Sequence, residues 1–415
     1  MRALIWRAPS APWAGLRWSD VRAAYEAWAL VLLGLGVALP VFLAPGWVSA
    51  PRLGDLALAA ALPLVVLQWG RMGPASRAAG PAAALVLLVT VLIQAGRIGQ
   101  ALNVSDLAFW FRWLAAALVA PAAGAMMAAE AGRRRLFFAA VLAGSLFHLA
   151  TYGLLALFGR DALQAVGLAS PRAAFTSVAA HVRITTVAEH PNAAMAMIGL
   201  AVPAAVALIG GRWARRPLEL GAAGVAAVGF LCTLSRGGLI AAAAAGLARA
   251  VVGRRWNAPA SPLGVLLAVC LLSGGLIALQ VTRVDVDLSR FAARFDLEQM
   301  DDNLQGRVAT WTRTIDFVVD QPLGVGWSTA DELGAFRALT VSHNGYLFMA
   351  RTLGLGAALA ALGLHLWSAA RLDALTPLAV YLLAMMFSED LAQGAGFVFL
   401  ICLVAATAWR RPVAP

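Results

Sequence analysis

The run LFFAAVLAGSLFHLATYGLLALF, at residues 136–158, contains no charged side chain and predicts the fold of the whole chain. It has the length of roughly 20 apolar residues that an α-helix needs to cross a bilayer. Backbone groups in lipid find no water, so such a run should be a helix with internal hydrogen bonds. Similar runs recur, and we predict an all-α polytopic membrane protein with about twelve spans, near 27–44, 53–69, 79–95, 107–129, 136–158, 191–210, 217–233, 237–252, 262–280, 343–367, 373–388 and 392–409.

The composition favours the same class of protein. Hydrophobic residues make up 61% of the 415 residues and charged residues only 13%, whereas a soluble domain carries roughly 25% charged residues. The net charge of +11 does not indicate nucleic-acid binding, because the charge is arranged by membrane side. The three cysteines fall within predicted spans, and their spacing suits neither a disulfide framework nor a zinc site: Cys232, Cys270 and Cys402.

The arginines predict the orientation of the chain. All 32 basic residues are arginine. With the N-terminus in the cytoplasm, eighteen lie in predicted cytoplasmic segments, and three lie in the short outer loops, at Arg52, Arg97 and Arg236. This is the positive-inside pattern, and it predicts that both termini are cytoplasmic.

The orientation divides the chain into four parts. Residues 1–26 are a cytoplasmic N-terminal segment, and residues 27–280 hold spans one to nine with a short outer segment near 159–190. Residues 281–342 are a large outer loop with amphipathic helices, which we expect to fold against the membrane face. Residues 343–415 hold spans ten to twelve and a cytoplasmic C-terminus.

Polar residues gather at the predicted outer ends of the spans. RITTVAEHPNAAM, from Arg183 to Met195, contains Pro191, which suits the first turn of a helix. TLSRGG, from Thr233 to Gly238, is a tight outer turn. There Arg236 either snorkels to the interface or meets a lipid phosphate. Both stretches therefore admit a structural and a functional interpretation.

A third cluster lies in the large outer loop, in QGRVATWTRTIDFVVDQPLGVG at residues 305–326. Arg307 and Trp311 would lie on an amphipathic helix. A guanidinium can hold phosphate oxygens through two parallel hydrogen bonds. Gly324 and Gly326 would let the backbone come close to a ligand.

The fourth cluster, VSHNGYLFMARTLG, covers residues 341–354 and places His343 at the outer start of the tenth span. A lone histidine is commonly a structural residue with satisfied hydrogen bonds. A histidine at a membrane rim is also suited to removing a proton near neutral pH.

Acidic residues add two candidate positions. Glu389 and Asp390 lie between the last two spans, where carboxylates are costly unless the loop is wet or they have a function. Asp285 and Asp287 form a D-x-D pair, a weak pattern for a divalent metal with a diphosphate.

The four clusters together resemble the O-antigen ligase and O-antigen polymerase family. The resemblance covers roughly residues 183–354 and rests on Arg183 with Pro191 and Asn192, SRGG at 235–238, Gly306 and Arg307 with Trp311, PLGVG at 322–326, and HNGYL at 343–347. It implies a GT-C-like glycosyltransferase without metal or other cofactor. Such an enzyme transfers a glycan from undecaprenyl diphosphate to lipid A-core, with inversion, at the periplasmic face of the inner membrane.

The resemblance also implies roles for particular residues. His343 would be the general base that removes the acceptor proton, with Arg307 and Arg183 holding the diphosphate. The remaining candidates would contact or orient the substrates: Arg236, Asn344, Tyr346, Trp311, Asn192 and Asp390. Asp390 would also hold an arginine or His343 in place.

Three other functions remain open. A polymerase would use the same donor with a growing glycan as acceptor, and a protein O-glycosyl ligase would use a serine or threonine. A transporter would place ionisable residues near the bilayer midplane, often in paired halves. The crowding of polar clusters on one face favours an interfacial enzyme over a transporter.

Overall fold

The structure is a computed structural model that describes residues 17–43, 51–98, 104–169, 176–178, 181–183, 188, 190–208, 216–233, 235–255, 297–326, 343–371, 375–389, 391 and 394–408. These residues are almost entirely helical. The helices are α1 (Trp18–Ala38), α2 (Leu53–Ala61), α3 (Pro63–Gln68), α4 (Pro74–Ile98), α5 (Val104–Ala129), α6 (Ala131–Ala165), α7 (Pro191–Gly199), α8 (Ala201–Leu208), α9 (Arg216–Thr233), α10 (Arg236–Arg255), α11 (Leu297–Asp320), α12 (Gly345–Leu353), α13 (Leu355–Ala370), α14 (Thr376–Ser388) and α15 (Ala395–Ala408).

A short antiparallel hairpin lies between α6 and α7. Strand β1 (Thr176–Val178) pairs with β2 (His181–Arg183), with Thr176 opposite Arg183. The sequence contains no signal for it, because three-residue strands are too short to show an alternating pattern.

Several helices are suited to crossing a membrane. Within the described ranges, five helical stretches are long and apolar enough, at Trp18–Ala38, Pro74–Leu92, Leu107–Ala129, Ala131–Leu155 and Pro191–Leu208. The number rises to six if α2 and α3, which are bent by 41°, form one span. The prediction is confirmed in its coarser form: the described residues are mainly helical, and several of the helices are apolar enough to span a membrane. The twelve-span count and the GT-C-like architecture stay predictions, and the ninth span at 262–280 lies outside the described residues.

Helix α1 begins at Trp18 rather than at residue 27, so part of the predicted cytoplasmic segment is helical. It therefore includes Glu26, a buried carboxylate. Arg22 Nε lies 2.8 Å from Glu26, Arg133 lies 3.4 Å away, and the Gln68 amide donates to it at 2.6 Å. These partners compensate the buried charge, and so the helix extends through residues that hydropathy alone excludes.

The predicted tenth span, 343–367, is broken into α12 and α13 at Gly354, whose φ is +97°. The backbone N–H groups of Val325 and Gly326 donate to the carbonyls of Arg351 and Thr352, each at 2.9 Å. The PLGVG segment thus satisfies carbonyls that the end of α12 leaves without a helical partner.

Gly324 lies in close contact with the backbone at this break. A Cβ on Gly324 would lie 2.6 Å from the Gly354 nitrogen, and its own φ is +74°. Only glycine fits such a backbone contact in the left-handed region. Gly324 therefore has a structural role at this break, and the expected approach of a ligand to its backbone stays a prediction.

Packing brings several helix ends to one place. Helix α10 packs along α14 and against α7, and α11 packs against α12. A Cβ on Gly237 would lie 2.9 Å from Ser388, and one on Gly345 would lie 3.2 Å from the Glu389 carbonyl. The N-terminal ends of α7, α10 and α12 therefore meet the C-terminal end of α14.

Candidate active site

Glu389 lies at the centre of this junction. It follows α14 directly, its backbone N–H donates to the Met385 carbonyl at 2.9 Å, and it is 7% exposed. Its Oε1 accepts a hydrogen bond from Asn192 Nδ2 and lies 3.6 Å from Arg307 Nη2. Its Oε2 lies 3.4 Å from His343 Nδ1. One carboxylate thus joins residues from three separate clusters of the sequence.

The surroundings keep Glu389 ionised. Burial raises the pKa of this carboxyl, but the hydrogen bond from His343 and the charges of His190, His343 and Arg307 together outweigh burial and leave the pKa below its ordinary value. An ionised carboxylate accepts hydrogen bonds and donates none. A nitrogen that faces Glu389 is therefore expected to carry a proton.

His343 stands at a special backbone position. Its φ is +48°, and among the described residues no other side-chain-bearing residue has a positive φ. Such conformations cost free energy and persist where the surrounding structure enforces them, often at functional sites. With Nδ1–H donating to Glu389, the lone pair of a neutral ring lies on Nε2. The geometry therefore prepares Nε2 to accept a proton.

A second histidine lies beside the first. His190 caps α7, where its Nδ1 accepts a hydrogen bond from the Asn192 backbone N–H at 3.3 Å. Its ring centroid is 6.5 Å from that of His343. No role for His190 is predicted from the sequence. The signal that points to it is its position immediately before Pro191 in the first cluster.

Two arginines approach the same junction. Arg307, on α11, donates from Nη1 to the Ser388 carbonyl at 3.2 Å and faces Glu389 through Nη2. Arg236 begins α10, next to Gly237, which packs closely on Ser388. Burial and then the charge of Arg307 lower the pKa of Arg236, so the two cations influence each other.

The remaining predicted residues lie in different surroundings. Asn344 is buried and caps α12, its Oδ1 accepting from the backbone N–H groups of Tyr346 and Leu347 at 3.0 and 3.1 Å. The Tyr346 hydroxyl lies 2.8 Å from Nδ1 of the buried His365. Asn344 and Tyr346 thus support the helix that follows His343.

Five predicted residues remain to be located. Trp311 is half-buried on α11, one turn after Arg307. The backbone of Arg183 lies in β2, and its side chain lies outside the described residues. Asp390 and the Asp285 and Asp287 pair also lie outside them. The role expected of Asp390, holding His343 or an arginine, is filled by its neighbour Glu389.

The arrangement combines a proton acceptor with an anion site. A hydroxyl group or water near His343 Nε2 could give its proton to this nitrogen, while Glu389 holds the ring in place through Nδ1. Arg307, Arg236 and three converging helix N-termini supply positive potential beside it. A reaction that removes a proton while negative charge develops on a leaving group suits such a site.

The comparison with protein families agrees with this chemistry. Residues 221–362 match the family model described as O-antigen ligase, a range that contains Arg236, Arg307 and His343. No curated protein matches the chain. The match supports, at family level, a glycosyltransferase-like function of the ligase or polymerase type in a multi-pass membrane protein. The similarity to the O-antigen ligase family therefore extends over residues 221–362 and supports membership of that family.

Proposed function

We propose that the protein is an O-antigen ligase. It transfers a glycan from undecaprenyl diphosphate to the lipid A-core oligosaccharide at the periplasmic face of the inner membrane. The observation that carries this proposal is the contact of Glu389 with both His343 and Arg307, which joins a base to a phosphate-binding cation.

His343 acts as the general base. The acceptor hydroxyl gives its proton to Nε2 as its oxygen forms a bond to the anomeric carbon of the donor. Nδ1–H remains bonded to Glu389, which stabilises the imidazolium that results. A positioned base of this kind contributes roughly 10²–10⁴-fold to the rate.

The arginines stabilise the leaving group. As the bond between the anomeric carbon and the diphosphate oxygen breaks, the electron pair moves to the diphosphate. Arg307 uses the guanidinium donors that face away from Ser388, and Arg236 adds a second positive charge near it. Arg183 is the third cation in this proposal. Positive groups already in place cost little reorganisation when the charge develops.

The donor provides the chemical driving force, because diphosphate is a good leaving group. The proposal therefore requires no metal or nucleotide, and attack from the face opposite the diphosphate inverts the anomeric centre. Glu389 does not touch the reacting atoms and is a positioning residue. Asn192, which donates to Glu389, supports the same carboxylate.

The test is reconstitution of the purified chain in nanodiscs with undecaprenyl diphosphate-linked glycan and lipid A-core, with and without EDTA. We expect a lipopolysaccharide product whose yield is unaffected by EDTA. A ladder of longer glycans on the undecaprenyl carrier, with lipid A-core unmodified, would identify a polymerase instead. No glycan product in either form would refute both transferase assignments.

A further inference from the structure

Helix α11 has one face that packs on the protein and one exposed apolar flank. Thr314 and Val318 are 0% and 4% exposed and face the bundle. Val308, Ile315 and Val319 are 48%, 49% and 69% exposed. Large apolar side chains rarely line up on a water-facing helix, so this flank needs a covering.

The next flank of α11 is polar, with Arg313, Asp316 and Asp320 exposed. At 3.6 residues per turn, the apolar flank lies about 100° from the buried face, and the polar flank lies about 110° further round. A helix has this three-part division when it lies in the corner between a protein wall, a membrane surface and water.

The apolar flank lies next to an exposed apolar row on α13. Leu323, just after α11, is 59% exposed, and the neighbouring Pro322 carbonyl accepts from the Leu355 backbone N–H at 2.8 Å. Leu355 begins α13, an apolar helix on which Leu359 and Leu366 are 57% and 50% exposed. In a multi-pass membrane protein such a row faces acyl chains.

We propose that Val308, Ile315, Val319 and Leu323 form a lipid-docking flank. It inserts into the boundary between headgroups and acyl chains on the side of the bilayer that holds His343. The occupant is membrane lipid because the flank carries no charge and is joined to the exposed row of α13 by the Pro322–Leu355 backbone hydrogen bond. Trp311 lies between the buried face and this flank, a position that suits an interfacial tryptophan.

The docking also sets the depth of the candidate active site. Arg307 is adjacent to Val308 on the same helix, so a flank held at the acyl boundary keeps the Arg307 guanidinium near the level of lipid phosphates. This consequence does not depend on which glycan or acceptor the protein uses.

The test uses single nitroxide labels on the full chain in nanodiscs. Cys232, Cys270 and Cys402 are first replaced by alanine, and retention of a monodisperse, helical protein checks the background. Labels are then placed at positions 308, 315 and 319 on the flank and at 313, 316 and 320 on the polar side. Collision rates are measured with oxygen, which concentrates in lipid, and with a water-soluble nickel chelate.

We expect the oxygen-to-nickel ratio to be several-fold higher at the three flank positions than at the three polar positions, and similar to that of a label at position 359. Equal ratios on both sides of α11 would mean that the flank lies in water. Low collision rates with both reagents at 315 and 319 would mean that protein covers the flank. Either of these results would overturn the proposal, whether or not the protein transfers a glycan.

Discussion

Glu389 Oε2 lies 3.4 Å from His343 Nδ1. Glu389 follows the last turn of α14, and His343 stands just before α12, so the pair depends on the packing of two separate helix ends. The carboxylate decides which ring nitrogen of a neutral His343 carries the proton. Nδ1, which faces Glu389, is protonated, so the lone pair that accepts a proton lies on Nε2. It also joins the histidine to Arg307, so base and cation are held by the same group.

Glu389→Gln should slow glycan transfer with little change in donor KM. The amide keeps the shape of the side chain but loses the charge that orients His343 and stabilises its protonated form. We expect a loss of about 10²-fold in kcat, the lower end of what a positioned base contributes. The matched control is Glu219→Gln, which removes another carboxylate paired with an arginine, Arg249 at 3.4 Å, away from this site. Equal kcat values for the Glu389 variant and wild type would contradict the positioning role.

The contribution of Glu389 to stability should depend on pH with a definite sign. Its folded pKa lies below the ordinary value of 4.5, so its stabilising effect is present above that pH and is lost as the pH falls through the folded pKa. Thermal unfolding of wild type and Glu389→Gln in detergent measures this. The difference in Tm should shrink as the pH falls below 4.5. A difference that grows as the pH falls would show that the carboxyl is destabilised by the fold.

Arg307→Lys should weaken use of the lipid-linked donor. Lysine keeps the charge but cannot contact Ser388, Glu389 and a phosphate through one planar group. A hydrogen bond to a charged group contributes roughly 1.5–3 kcal/mol, so kcat/KM for the donor should fall about tenfold or more. Arg313→Lys is the control on the same helix, since Arg313 is exposed on the polar flank. Similar kcat/KM values for both variants would exclude a phosphate grip by Arg307.

Gly324→Ala should destabilise the protein. Gly324 has a φ of +74°, and its added Cβ would lie 2.6 Å from the Gly354 nitrogen. The left-handed backbone alone costs an L-residue about 1–2 kcal/mol, and the contact adds to this. Gly356→Ala, with no atom within 4 Å of its added Cβ, should be neutral or slightly stabilising. Thermal unfolding compares the two, and an unchanged Tm for Gly324→Ala would contradict the structural role of this loop.

The helices could be predicted where their signal is local. The uncharged run at 136–158 predicts a helix without reference to any other part of the chain, and α6 covers it. The early start of α1 could not be predicted, because the compensation of Glu26 comes partly from Arg133, which is 107 positions away. The break at Gly354 could not be predicted either. The N–H groups that satisfy the carbonyls before it come from a distant segment that includes Val325.

The candidate site could likewise be predicted only in part. Sequence clusters identified His343, Arg307 and Asn192, and the structure brings all three to one carboxylate. The sequence-based prediction chose Asp390, whereas the structure places its neighbour Glu389 against His343 and Arg307, because the position of the end of α14 depends on packing between distant helices. His190 was missed because a cap before a proline resembles an ordinary helix start.

The most direct test of the account compares single-turnover transfer by wild type and His343→Ala in the same nanodiscs, with donor binding measured in parallel. The account predicts that the variant folds and binds donor with similar affinity while its transfer rate falls by about 10²-fold or more, because only the proton acceptor is lost. Transfer at the wild-type rate by a folded His343→Ala protein would contradict the assignment of His343 as the base.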